Sequence, residues 1–140
     1  MTRVLFVCVK NGGKSQMAAG LFRHLADHDA EPGRWQIESA GTQAGNALNG
    51  LSVASLAEVG VDISDQQPRQ LTPELQQSAD LVVTVGEADV EPLPGPRYET
   101  WEITEPSLRG IDGPERMRLV REDIARQVED LHHRLASTPP

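Results

Sequence analysis

The stretch VCVKNGGKSQ, residues 7–16, decides how the rest of the chain is read. Upstream, RVLFVC (3–8) is a short run of β-branched, aliphatic and aromatic residues, the pattern of a buried strand. Downstream, Met17, Leu21 and Leu25 recur at helical spacing and predict a helix from Lys14 to Asp27. The quoted stretch holds two glycines, both lysines of the chain and its single cysteine. Strand, glycine loop and helix form an anion-binding layout. The first amides of a helix have no intrahelical partner and sit at the positive end of its dipole. Gly12 and Gly13 are free to adopt positive φ, which would turn successive N–H groups inward as a nest.

The same alternation continues along the chain. WQIESA (35–40) reads as a second strand, followed by a GTQAGN loop. NGLSVASLAEVG (49–60) reads as a helix with Leu51, Ala54 or Ser55, and Val59 on one face, stopped by Gly60. Thr72-Pro73-Glu74 opens another helix, with Thr as N-cap, Pro at the first position and an acid in the first turn. ADLVVTV (79–85) and RYETWEI (97–103) are the third and fourth strands. A Pro/Gly-rich loop leads to a last helix from near Pro114, with Met117, Val120, Ile124, Leu131 and Leu135 on one stripe. Strands alternating with helices predict a three-layer α/β fold: a four-stranded parallel sheet with helices on both faces. One domain over residues 1–136 and a flexible tail, 137–140, are expected. Ligands of such sheets bind beyond the carboxyl ends of the strands, where Cys8 falls.

Composition narrows the function. With 140 residues and 38% hydrophobic content the chain can bury a core of its own. A net charge of -8 disfavours nucleic acid and anionic membrane as partners, so an anion site must be built locally. No apolar run approaches the ~18 residues of a membrane span. The run at 4–9 also falls short of the roughly 7–15 apolar residues of a signal peptide, which points to the cytoplasm. One cysteine excludes an internal disulfide and a cysteine-rich metal site. If Cys8 is reactive, a second thiol must come from outside. His24 and His28 lie one helical turn apart but have no supporting carboxylate pattern, so no metal is expected. His132 and His133 read as a solvated helix face, and Trp35 as core.

Two motifs compete for the loop. Gly13-Lys14-Ser15 matches the end of a nucleotide P-loop, but Cys8 stands where its first glycine belongs. ADLVVTV ends at Gly86 without the acid that would hold Mg²⁺, so nucleotide binding fits poorly. The alternative is a cysteine phosphatase loop: strand, Cys, five residues, cation, Ser, helix. Cys8, Lys14 and Ser15 have that spacing. The amides of Val9, Lys10, Asn11, Gly12, Gly13 and Lys14 would then hold a tetrahedral oxyanion and favour the thiolate, the nucleophilic form of cysteine. Ser15 could donate a hydrogen bond to the sulfur. A buried strand-end cysteine without chemistry is the plainer reading of Cys8 alone, but not of Cys8 beside Gly12-Gly13-Lys14-Ser15.

With these residues the chain resembles the low-molecular-weight protein tyrosine phosphatase superfamily, and especially its arsenate reductase branch. SAGT (39–42), GVDIS (60–64), RQLTPELQQSADLVVTV (69–85) and TWEITEPSLRG (100–110) follow in the family's order. The loop NGGKSQMA looks most like actinobacterial arsenate reductases that use mycothiol. The resemblance implies that Asn11 props the loop through Ser39, against the alternative of an ordinary turn asparagine. It implies that Glu105, in the place of the usual Asp-Pro acid, protonates the leaving oxygen, against the alternative of a solvated loop glutamate. Lys14 replaces the family's arginine, offering a point charge where a fork would grip two oxygens, which argues against efficient phosphatase activity. The two further cysteines of thioredoxin-coupled reductases are missing from VGEADVEPLP (85–94).

The expected activity is therefore arsenate reduction. Cys8 attacks arsenate, for which phosphate or sulfate would be a mimic. The arseno group then passes to mycothiol or glutathione as co-substrate, and a mycoredoxin- or glutaredoxin-like protein completes the reduction. No tightly bound cofactor is expected. A phosphatase working through phosphocysteine and a non-catalytic oxyanion-binding domain are the alternatives.

Overall fold

The computed structural model describes residues 1–137. The expected tail therefore lies, apart from Ser137, outside the described residues. Four strands, β1 (Thr2–Cys8), β2 (Trp35–Gly41), β3 (Leu81–Val85) and β4 (Arg97–Trp101), form one sheet in the order β2-β1-β3-β4. Every pairing is parallel. The helices are α1 (Lys14–Asp27), α2 (Gly50–Ala57), α3 (Pro73–Ser78) and α4 (Gly113–Ala136). The strand order reverses direction between β1 and β3, which makes the crevice above those two carboxyl ends the natural ligand position.

Strand parity assigns the two faces. Val4 and Phe6 of β1 join Leu81, Val83 and Val85 of β3 in the larger core, against Met17, Ala18 and Phe22 of α1 and Val120, Ile124 and Leu131 of α4. Leu5, Val7 and Val82 point the other way, onto Leu75 and Ala79 of the α3 region. Both faces are covered, but unevenly: α1, α2 and α4 on one side, the short α3 on the other. Thr72 caps α3 as its sequence predicts, accepting from the Leu75 amide.

Three helix readings need correction. Of the stripe expected on α1, only Met17 is fully buried. Ala18, Ala19, Phe22 and Ala26 are buried, whereas Leu21 and Leu25 are half-buried at its margin. On α2 the buried residues are Ser52, Ser55 and Leu56, while Leu51 and Val59 are exposed. The apolar periodicity there lost to the need for small side chains beside α4, where Ser52 Oγ lies 3.5 Å from Met117 Sδ. His133 is exposed as expected, but His132 is half-buried. Its ring contacts Phe22 edge-on and its Nε2 lies 2.9 Å from Asp29, which also accepts from Trp35 Nε1. Burial pushes the Asp29 carboxyl up, but the bonds from His132 and Trp35 outweigh it and leave the pKa lowered. Trp35 is core, as expected.

No helix among the described residues is long and apolar enough to cross a membrane, and no cluster of potential metal ligands is found among them. His24 and His28 stack on one another, with His28 Nδ1 2.8 Å from the His24 carbonyl oxygen.

Candidate active site

β1 delivers Cys8 to the carboxyl edge of the sheet, and residues 9–13 turn from it into α1. The backbone of this turn is pinned from one side. The carbonyls of Cys8, Val9, Lys10 and Gly12 accept from the amides of Thr42, Gln43, Gly45 and Asn49, at 2.7 to 3.0 Å. With those carbonyls drawn outward, the amides of Val9, Lys10, Gly12 and Gly13 donate to no other described residue. The first amides of α1, Lys14 and Ser15, add the helix-terminal donors. A ring of unused N–H groups at the positive end of a helix dipole is an oxyanion site.

Gly41, where β2 ends, allows the close approach. A Cβ there would fall 2.6 Å from the Val9 carbonyl oxygen and 2.9 Å from the Asn11 nitrogen. The two loop glycines serve packing rather than the positive φ expected of them. The left-handed residue of the loop is Asn11, at φ 55°, a conformation asparagine tolerates better than most side chains. A Cβ on Gly12 would press to 3.0 Å from the Ala47 carbonyl oxygen, and one on Gly13 to 3.2 Å from Ser52 Oγ.

Asn11 is fully buried and organises the sulfur's surroundings. Its Oδ1 accepts from the Arg69 amide at 2.9 Å and from Gln16 Nε2 at 3.2 Å. A backbone N–H can only donate, so Oδ1 faces Arg69 and Nδ2 faces Ser15, where it donates to Oγ at 2.7 Å. Ser15 Oγ lies 2.8 Å from Cys8 Sγ. With the Ser15 oxygen already accepting from Asn11, its own proton is available to a Cys8 thiolate. The Asn11 amide adds a contact to the sulfur at 3.3 Å. Asn11 thus supports the loop, but through Arg69 and Gln16 rather than Ser39, which stays on β2 opposite Phe6. Sequence reasoning missed both partners. Gln16 lies within the quoted stretch, but Arg69 is 58 residues away and contributes only its backbone, which leaves no signature.

Lys14 extends across the crevice between β1 and β3. Its Nζ would lie 3.5 Å from a Cβ built on Gly86, which has φ +91°. Among the described residues no carboxylate pairs with Lys14 or Lys10. In a chain of net charge -8 these uncompensated cations favour an anion at the loop.

Glu105 does not meet its expectation as an acid. Arg116 of α4 grips it with both arms, Nε to Oε2 at 2.7 Å and Nη2 to Oε1 at 2.6 Å. Ser107 donates from both its amide and its hydroxyl to Oε2. The Arg116 bond, ahead of an opposing burial effect, and the Ser107 bonds hold the Glu105 pKa at about 2. A group of that pKa is a carboxylate at neutral pH and has no proton to give. Glu105 caps the 3-10 turn Pro106–Arg109.

Comparison with known proteins agrees with this geometry. The profile of the low molecular weight phosphotyrosine protein phosphatase family matches residues 3–139. The chain is 30% identical over 132 residues to a putative arsenate reductase of Halobacterium salinarum, covering 93% of this chain and 90% of that protein. Among solved structures it is similar to a thioredoxin-dependent arsenate reductase of Corynebacterium glutamicum, with 31% identity and a TM-score of 0.76. That match covers 97% of this chain but spans only 62% of the Corynebacterium protein. It is also similar to an arsenate reductase solved in its phosphate binding state, with 27% identity and a TM-score of 0.77, covering 96% of this chain and 98% of the other. The chain belongs to the low molecular weight phosphotyrosine protein phosphatase family and is an enzyme of its arsenate reductase branch.

Proposed function

We propose that this protein reduces arsenate to arsenite through Cys8 and an external thiol, in the reducing cytoplasm. The observation that supports this most is the Arg69–Asn11–Ser15–Cys8 relay beneath a ring of unused amides. It readies a sulfur nucleophile at the base of an oxyanion site. The Cys8 thiolate attacks arsenic, an S–As bond forms as an As–OH bond breaks, and that hydroxyl leaves as water with a proton drawn from the solvent rather than from Glu105. An external thiolate then attacks arsenic and the Cys8–arsenic bond breaks, returning its electron pair to Cys8. Finally a redoxin thiolate attacks the small thiol's sulfur. A disulfide forms, the S–As electron pair passes to arsenic, As(V) becomes As(III), and arsenite leaves.

Lys14 and the single cysteine support this branch of the family's chemistry. A lysine offers a point charge and not the fork that grips two equatorial oxygens of a phosphoryl group in transfer. With no second thiol in the chain, the electrons come from outside, from mycothiol with a mycoredoxin or glutathione with a glutaredoxin. The test is arsenite production from arsenate and NADPH by wild type and Cys8→Ser, with each thiol system and with thioredoxin alone. Aryl phosphate hydrolysis is measured on the same stocks. Thiol-dependent arsenite that vanishes in the variant is expected. Aryl phosphate turnover without arsenite would overturn the proposal in favour of a phosphatase, and inactivity in both would favour a binding domain.

A further inference from the structure

A cavity of about 640 Å³ opens beside the loop, within the ~300–1,000 Å³ range of small-molecule sites. Gly12, Gly13 and Lys14 form one wall, so it is continuous with the oxyanion loop. Residues 43–47 form the second wall and the first turns of α4 the third. Two features suit it to a second ligand. First, Gly12 and Gly13 put no side chain between the cavity and the oxyanion loop. Second, the charged residues lining it are Lys10, Lys14 and Arg116, with no carboxylate among them, although the chain is acidic overall. Arg116 uses Nε and Nη2 on Glu105, and no described residue accepts from its Nη1. Asn46 and Asn49 add amide groups, and Met117 and Val120 an apolar floor.

We propose that this cavity holds the non-reacting body of the low-molecular-weight thiol co-substrate, with Arg116 and Lys10 as its anchors. The inference rests on the reductase reading above. A thiolate that takes arsenic from Cys8 must reach an atom enclosed by the loop, while its remaining carboxylates or hydroxyls need a site within a few bonds of the sulfur. The cavity supplies cationic and amide donors for those groups at that place. In the transfer the new S–As bond forms as the Cys8–arsenic bond breaks, with no change of oxidation state. The glutamate–arginine pair thus serves this co-substrate by holding Arg116 at the cavity wall.

The test uses S-methylmycothiol and S-methylglutathione, which cannot turn over, titrated separately into the wild type by calorimetry. Binding is repeated with Ala47→Trp and Asn46→Trp, two exposed positions at the cavity, and with Arg116→Gln. Phosphate affinity is measured alongside as the readout of the loop. At least one analogue should bind the wild type. Each tryptophan variant should weaken it at least tenfold while phosphate binding changes less than twofold, and Arg116→Gln should weaken it severalfold. Whichever analogue binds identifies the carboxylate-bearing or the sugar-bearing thiol as the ligand. Binding of neither analogue, or binding that both tryptophan variants retain, would overturn the proposal. Failure of the reductase reading would look different: analogue binding would persist, but no thiol system would yield arsenite.

Discussion

The loop at residues 8–15 and the loop at residues 105–110 each present one chemically suggestive side chain near a strand end, and they are built in opposite ways. Around Cys8 the backbone carbonyls are tied off by residues 42–49, the side chains form a buried relay, and the amides are left over. Around Glu105 the carboxylate itself is tied off, by Arg116 and Ser107, and Leu108 beside it is 86% exposed. One loop spends its hydrogen bonds on freeing donors for a ligand; the other spends them on neutralising its own reactive group. A strand-end location is thus no evidence of catalysis until the partners of the side chain are known.

The contrast makes graded predictions. Cys8→Ser should lower arsenite production by at least about 1,000-fold, as loss of a nucleophile does, with the thermal midpoint nearly unchanged. Gly41→Ala should be the most damaging change outside the loop. Its Cβ would displace the Val9 carbonyl and the Asn11 amide, and a shift of about 1 Å in a positioned group can cost on the order of 100-fold in kcat/KM. Weakened phosphate binding in the same variant would locate the damage in the loop. Asn11→Ala removes the acceptor of the Arg69 amide, which is left unpaired, and one of the two acceptors of Gln16 Nε2, which keeps the Gln67 carbonyl. It should cost roughly 1–2 kcal/mol in denaturant unfolding, with a loss of activity that outlasts any rescue of stability by lower temperature.

These effects also mark what could be read from the sequence. The strand–loop–helix at 3–27 and the helix start at Thr72-Pro73 were legible because their signals are local: apolar runs, caps and spacing. The stripe of α4 was legible for the same reason, since Met117, Val120, Ile124, Leu131 and Leu135 all prove buried. Cys8, Ser15 and Asn11 were found together because they share one turn. The outward-facing Leu51 and Val59 of α2 were misread because packing against α4 is a tertiary matter that periodicity does not encode. Glu105 was misread for a related reason: Arg116 is eleven residues on, in another element, and nothing in TEPSLRG announces the pair. The relay partner Arg69 and the carbonyl clamp from residues 42–49 act through backbone atoms, which any sequence would offer.

The smallest effect belongs to the second loop. At saturating thiol, Glu105→Gln should leave arsenite production within about twofold between pH 5 and 8, since a carboxylate of pKa about 2 neither gains nor loses a proton there. It should cost about 1 kcal/mol or less of stability at pH 7, the range of partly exposed ion pairs. A lowered carboxylate pKa contributes stability that is present above the ordinary value of 4.5 and lost as pH falls toward 2. The gap between wild type and Glu105→Gln in thermal melts should therefore close over that interval. A large activity loss at pH 6 would instead restore Glu105 as an acid.

The most direct test of the difference between the two loops is an amide-resolved NMR titration of the wild type with arsenate, without thiol. The account predicts that the amides of Val9, Lys10, Gly12, Gly13 and Lys14 shift and saturate together, while those of 105–110 stay in place. Shifts centred on residues 105–110, or a loop that does not respond to arsenate at all, would contradict it.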